Sequence, residues 1–262
     1  LHLCDRRQRQ MCIRDRNIAA SISASCLIYA ILLKLAILLF NIPSVHEAGY
    51  ICSMLFIIPG FPFITSGIDL AKLDIRSGIE RLTYSAIIVL VATVFAWIMA
   101  LILHLQPEEF FSLNIGNITH LILRLIASFC GVFGFSIMFN SSIPMAATTA
   151  VIGAIANTLR LELVDFTAIP AAAAAFIGAV TAGLLASFIK KYNGYPRISL
   201  TVPSIVIMVP GLYLYRAIYN FGIMSLTEAV SWFTSAVMII IALPLGLIFA
   251  RIITDRTFRY CT

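Results

Sequence analysis

Charge is what this sequence has least of. Lys, Arg, Asp and Glu make up 11% of its 262 residues, where a soluble domain carries about 25%. Regular alternation of apolar and polar residues is missing too, and its absence argues against a membrane β-barrel. The net charge of +6 comes with no basic run interleaved with exposed aromatics, so nucleic acid is not an expected partner. Cysteines are few and scattered, at Cys4, Cys12, Cys26, Cys52, Cys130 and Cys261, with no CxxC or zinc spacing. They read as free thiols. GxSxG, HExxH, P-loop and GxGxxG motifs are all absent, so the chain reads as no enzyme, binds no expected cofactor or metal, and is no ATP-driven pump by itself.

What the chain does have is long apolar runs. It is 61% hydrophobic with a mean hydropathy of +0.99. The expected fold class is therefore all-α, a polytopic helical protein with the lipid bilayer as its solvent. Apolar windows place about eight spans near 18–40, 50–70, 83–105, 119–139, 143–159, 168–189, 199–218 and 230–253. Residues 1–16, LHLCDRRQRQMCIRDR, differ in character from the rest of the chain. They hold five Arg and two Asp, and MCIRDR back-translates in frame to a transposon-end sequencing adapter. We read 1–16 as a non-native tail and leave it out of the functional reading. Without it, 13 Lys and Arg stand against 10 Asp and Glu, a net +3.

Positive charge falls unevenly between the spans. Lys72, Arg76 and Arg81 lie in one connection, Lys190, Lys191 and Arg197 in another, and Arg251, Arg256 and Arg259 at the C-terminal end. These regions share one side if every span crosses. The opposite side has Arg160 in its loops, with Arg124 and Arg216 just inside spans. The positive side is expected to be cytoplasmic, together with the C-terminus.

Two stretches break the apolar pattern in the same way. IIPGFPFITSGIDL starts at Ile57 and MVPGLYLYRAIYNF at Met208. At an offset of 151 residues, Ser53 meets Ser204, Pro59 meets Pro210, Gly60 meets Gly211 and Asp69 meets Asn220. Spans 1–3 then map onto spans 6–8, and the odd separation reverses their direction across the membrane. Charge bias inverts in step. The connection after span 2 carries three Lys or Arg and its counterpart at 219–229 carries none beyond the span. This pattern describes an inverted repeat, with 17–117 as the last three spans of one copy and 118–262 as a five-span second copy.

Proline removes a backbone donor and glycine loosens a helix. Broken helices at matched positions of inverted halves commonly form a binding site near the midplane; alone, either would read as a packing kink. The candidate residues stand at and just after the two breaks. The first half offers Pro59, Gly60, Thr65, Ser66 and Asp69; the second offers Pro210, Gly211, Tyr213, Arg216 and Asn220. A carboxylate in one half and a guanidinium in the other suit a zwitterionic amino acid. Asp69 is also the candidate carrier of a coupling proton. Its competing reading is structural: Asp69, Lys72, Arg76 and Glu80 make one polar stripe, as on a surface helix.

Other polar groups have plainer readings. Lys34 and Arg124 are placed to snorkel. Asn140, Asn157, Thr148 and Thr149 read as helix–helix hydrogen bonds or the lining of a path. His46, His104 and His120 fall at predicted interfaces, and Ala171, Ala175, Ala179 and Gly183 make a close-packing stripe.

The stretch PGFPFITSGIDLAKLDIRSGIERL at 59–82 resembles the signature of the threonine/serine exporter family. FGFSIMFNSSIPMAATTAVIGAIANTLRL with PSIVIMVPGLYLYRAIYNFG resembles that family's second half. The resemblance implies export of threonine and serine on the proton motive force, with protons as coupling ion, in a bacterial cytoplasmic (inner) membrane. It also implies about ten spans in two halves of five, so two spans are expected to be missing before the first seen here. Two-subunit relatives are associated with succinate export, which keeps a dicarboxylate exporter open, as is a non-transporting membrane subunit. Oligomeric state is open, a homo-oligomer included.

Overall fold

The computed structural model describes residues 2–40, 49–54, 58–104, 116–167 and 169–255, with side chains from Asn17 onward. The readings on His46, Arg256, Arg259 and Cys261, and on the side chains of Cys4, Cys12 and Lys191, lie outside the described residues. Among the described residues there is no strand. Ten helices succeed one another: α1 His2–Phe40, α2 Tyr50–Met54, α3 Gly60–Ala71, α4 Ile75–Leu103, α5 Asn117–Met138, α6 Ile143–Thr167, α7 Ala171–Asn193, α8 Arg197–Val206, α9 Gly211–Gly222 and α10 Leu226–Thr254.

Six of these are long and apolar enough to cross a bilayer, and α8 with α9 makes a seventh when taken as one broken span. The chain is a polytopic helical membrane protein. The eighth expected span corresponds to α2 and α3, two short helices on either side of residues 55–57, which lie outside the described residues. Several helices outrun their apolar windows. α4 starts at Ile75 rather than 83, α10 at Leu226 rather than 230, and α6 runs to Thr167 rather than 159. Hydropathy marks only the part suited to hydrocarbon. Arg, Glu and Leu propagate a helix well, so the backbone continues into polar turns.

The chain divides into two compact units that do not respect its order. The first contains Leu1–Pro59, Thr83–Leu113 and Gly211–Thr234. The second contains Gly60–Leu82, Asn114–Pro210 and Ser235–Thr262.

In the first unit, Ala92, Ala96 and Ala100 recur every four residues on α4 and are buried. This face carries nothing beyond Cβ, so neighbouring helices come close. It joins Ile22, Cys26 and Ala30 of α1, Tyr50 and Ile51 of α2 and Tyr215 of α9 in one cluster. The two tyrosines are fully buried, and their hydroxyls hydrogen-bond each other. That pairing removes the penalty of burying each hydroxyl alone.

In the second unit α6 packs against α5, α7 and α8, while α3 packs against α8. Small residues set the spacing. A Cβ on Gly153 of α6 would stand 2.7 Å from the Ser204 carbonyl oxygen and 2.6 Å from Val132 Cγ2. One on Gly246 of α10 would stand 2.6 Å from the Phe176 carbonyl of α7. The expected stripe on α7 is a packing face: Ala175 and Ala179 are fully buried, and a Cβ on Gly183 would meet Ala250 Cβ at 2.5 Å. Cys26, Cys52 and Cys130 are free thiols, as expected.

Gly153→Leu should therefore lower stability by at least about 1–3 kcal/mol, since backbone cannot give way as a side chain does. Gly134, with nothing within 4 Å of an added Cβ, is the control. Gly134→Ala should leave stability unchanged or raise it by up to about 1 kcal/mol. Thermal midpoints of the detergent-purified variants check both; an unchanged midpoint for Gly153→Leu would contradict the packing.

Candidate functional site

Pro59 and Pro210 are non-helical, and each is succeeded at once by the first residue of a half-helix, Gly60 of α3 and Gly211 of α9. Both half-helices have 12 residues. The 151-residue correspondence holds at every boundary after the breaks: 60 with 211, 71 with 222, 75 with 226 and 103 with 254. It extends to the backbone. Leu73 and Met224 are paired by the offset, and both adopt positive φ, 65° and 61°. The Asp74 N–H donates to the Asp69 carbonyl as the Ser225 N–H does to that of Asn220. Ser53 and Ser204 each donate to the carbonyl three residues earlier.

In the second unit the break after α8 occupies Ile207–Pro210. Proline disfavours helical geometry in the residue before it and offers no donor itself. The last turn tightens, with the N–H groups of Met208 and Val209 donating to the carbonyls of Ile205 and Val206. The Met208 carbonyl, lost to the helix, accepts from Arg160 Nη1 at 3.1 Å. Sequence reading placed Arg160 in a loop. It stands on α6, because that helix continues past its apolar window. Asn157, one turn earlier, donates to Ser128 Oγ of α5 at 2.9 Å, a helix–helix hydrogen bond. Its Oδ1 and the Thr158 hydroxyl are buried with no partner among the described residues.

The start of α3 lies beside this break. A Cβ on Gly60 would stand 3.1 Å from Val206 Cγ1 and 3.2 Å from Val209 Cγ2, so glycine permits the approach. The N-terminal end of α3 thus stands beside the C-terminal end of α8, where the partial charges of the two helix ends are opposite.

Of the predicted residues in this unit, Thr65 and Ser66 are buried and turn back on their own helix. Thr65 Oγ1 donates to the Phe61 carbonyl at 3.1 Å and Ser66 Oγ to that of Phe63 at 2.8 Å. Asp69 does not head a continuous surface stripe. The helix stops at Ala71 and restarts at Ile75, so only Arg76 and Glu80 remain paired on one helix, at 3.3 Å. Asp69 pairs instead with Arg81 across the turn at 2.9 Å, and Ser77 Oγ donates to it at 3.4 Å. Arg124 does not snorkel alone either. It bridges Glu162 at 3.0 Å and Asp165, both on α6.

In the first unit Arg216 lies with its guanidinium carbon 4.7 Å from the centre of the Trp232 ring. Tyr213 packs edge-on against the same ring at 5.3 Å. Asn220 Nδ2 turns back on its own helix and donates to the Arg216 carbonyl at 2.9 Å. Arg216 has no ion pair among the described residues. A guanidinium stacked on an aromatic face keeps its in-plane N–H groups for a carboxylate. Tyr213 and Arg216 are thus brought together, with Trp232 as an unpredicted third partner; Asp69 and Arg216 belong to different units. Sequence reading also missed Tyr50, whose partner Tyr215 is 165 residues away.

A helical membrane protein whose helices break at matched Pro-Gly pairs, with charged side chains within about three turns, is of the transporter class. The family is specific. A family model described as "Threonine/Serine exporter, ThrE" matches residues 124–253, and a second threonine/serine exporter model matches 7–104, beginning inside the segment 1–16. The chain belongs to the threonine/serine exporter family, which is a family of transporters. No curated protein and no solved structure matches it.

Arg160→Met should cost about 1–3 kcal/mol by leaving the Met208 carbonyl unsatisfied, with Arg160→Lys costing less. Chemical denaturation in detergent reads the difference. Equal stability of Arg160→Met and wild type would show that the break needs no such donor.

Proposed function

We propose that the chain exports small amino acids, threonine and serine, across the bacterial cytoplasmic membrane on the proton motive force. The observation that carries this reading is the matched pair of half-helices, α3 and α9. One bears a carboxylate at Asp69 and the other a guanidinium at Arg216, nine and five residues from their first residues Gly60 and Gly211. The family match supports an amino acid as substrate. In this mechanism the substrate carboxylate docks on the in-plane N–H groups of Arg216, whose orientation Trp232 fixes. Asp69 exchanges Arg81 for the coupling proton. The two repeats run in opposite directions across the membrane, so that rocking of one against the other exposes the site to each side in turn. The C-terminus and the Lys72, Lys190 and Arg197 regions face the cytoplasm. Pro59, Gly60, Pro210 and Gly211 supply the breaks, Thr65 and Ser66 hold the first turns of α3, and Asn220 steadies α9.

Arg216, a guanidinium with no ion pair among the described residues, favours a second reading, export of a dicarboxylate such as succinate, in which Asp69 only carries the proton. The test expresses the chain in cells lacking their own exporters. The cells are loaded with threonine- or serine-containing dipeptides, or with succinate, and efflux is recorded with and without a protonophore. Protonophore-sensitive efflux of threonine or serine is expected. Asp69→Asn and Arg216→Ala should each reduce it about tenfold or more at unchanged membrane levels. Succinate efflux alone selects the second reading; wild-type efflux by both variants contradicts both.

A further inference from the structure

The exporter reading leaves one built feature unused, a cavity of about 790 Å³ in the second unit. Three separate stretches of chain deliver cations to it: Lys72 after α3, Lys190 and Arg197 around the α7–α8 connection, and Arg251 near the end of α10. Asp255 adds a carboxylate, 3.6 Å from Arg251 Nε. Arg197 is half-buried, and its hydrogen-bond acceptors are neutral: Thr254 Oγ1 at 2.8 Å and the Gly183 carbonyl at 3.3 Å. Lys72 and Lys190 have no ion pair among the described residues. Four cations therefore share one carboxylate in a concave site. Charge of one sign gathered there is costly without an anion, and guanidinium with ammonium is a donor set that oxyanions take.

The position is as informative as the charge. α3 begins at the helix break and ends at the cavity, where Ile68 lines it; α8 begins at the cavity with Arg197 and ends at the break. Eight residues separate Ile68 from Gly60, about 12 Å of helix. That is close to half of the ~30 Å hydrocarbon core. The cavity and the break thus stand at opposite ends of one pair of packed half-helices.

We propose that this cavity is an oxyanion site where the carboxylate of the exported solute first binds, with Arg197 as its main ligand and Lys190 as a second. The proposal rests on the exporter reading for the identity of the solute, and on the geometry alone for the anion.

The full chain in phosphatidylcholine nanodiscs is titrated calorimetrically with succinate, L-threonine, inorganic phosphate and L-threoninol, which lacks the carboxylate. Succinate and threonine should bind and threoninol should not. Arg197→Gln should weaken binding about tenfold. Lys190→Gln, on an exposed side chain that folding does not need, should weaken it about threefold. Unchanged binding in both Arg197→Gln and Lys190→Gln would overturn the proposal, as would equal binding of threoninol. If wild type but not Arg197→Gln retains phosphatidylglycerol through purification and no solute binds, the oxyanion is a lipid headgroup and the solute assignment falls. Binding that behaves as predicted in a chain that shows no efflux would sink the exporter reading and leave the anion site standing.

Discussion

A carbonyl released from a helix inside a bilayer has no water to turn to, and the rest of this structure is organised around that constraint. The Met208 carbonyl is such a group. Its partner, the Arg160 guanidinium, comes from α6, the helix against which α5, α7 and α8 all pack. A charged donor at this place would be expensive by itself. It is tolerated because it settles a backbone acceptor, and it ties the break in α8 to the centre of the unit. Gly178 and Gly153 keep α7 and α8 close enough for this to work. A Cβ on Gly178 would stand 3.3 Å from both Arg160 Cβ and Met208 Sδ.

The two breaks are one device used twice, with different furniture. The helix boundaries after them agree to the residue, down to the left-handed Leu73 and Met224. Their side chains diverge: Asp69 faces Asn220 in the correspondence, and Tyr50 faces Thr201. The same backbone boundaries recur after both breaks, while the charged and aromatic groups around them differ. In the second unit a carboxylate sits in an Arg pair, and in the first a guanidinium sits on an indole.

The physics of each signal decided how much of this was legible in the sequence. The breaks were readable because proline and glycine act locally, and Gly60 and Gly211 begin their helices where the motif placed them. The stop at Ala71 was not, because Leu73 enters left-handed geometry without the glycine or asparagine that usually marks it. That hidden turn converted an apparent surface stripe into an Asp69–Arg81 pair. Arg160 was misplaced because hydropathy windows push charges out of spans, whereas here the Met208 carbonyl holds it on α6; Arg124 was placed just inside its span, and what the sequence did not show was its carboxylate partners on α6. The Tyr50–Tyr215 bond had no local signal at all, and the internal repeat could not supply it, since the offset sends Tyr215 to Ile64.

The most direct measurement closes a break. Pro210→Ala returns a backbone N–H and removes the ring that interrupts the helix after α8. Efflux of threonine and serine should fall to background at normal membrane levels, with the thermal midpoint held or raised. Efflux at the wild-type rate from an equally stable Pro210→Ala protein would mean that the break is a packing kink and that the site lies elsewhere.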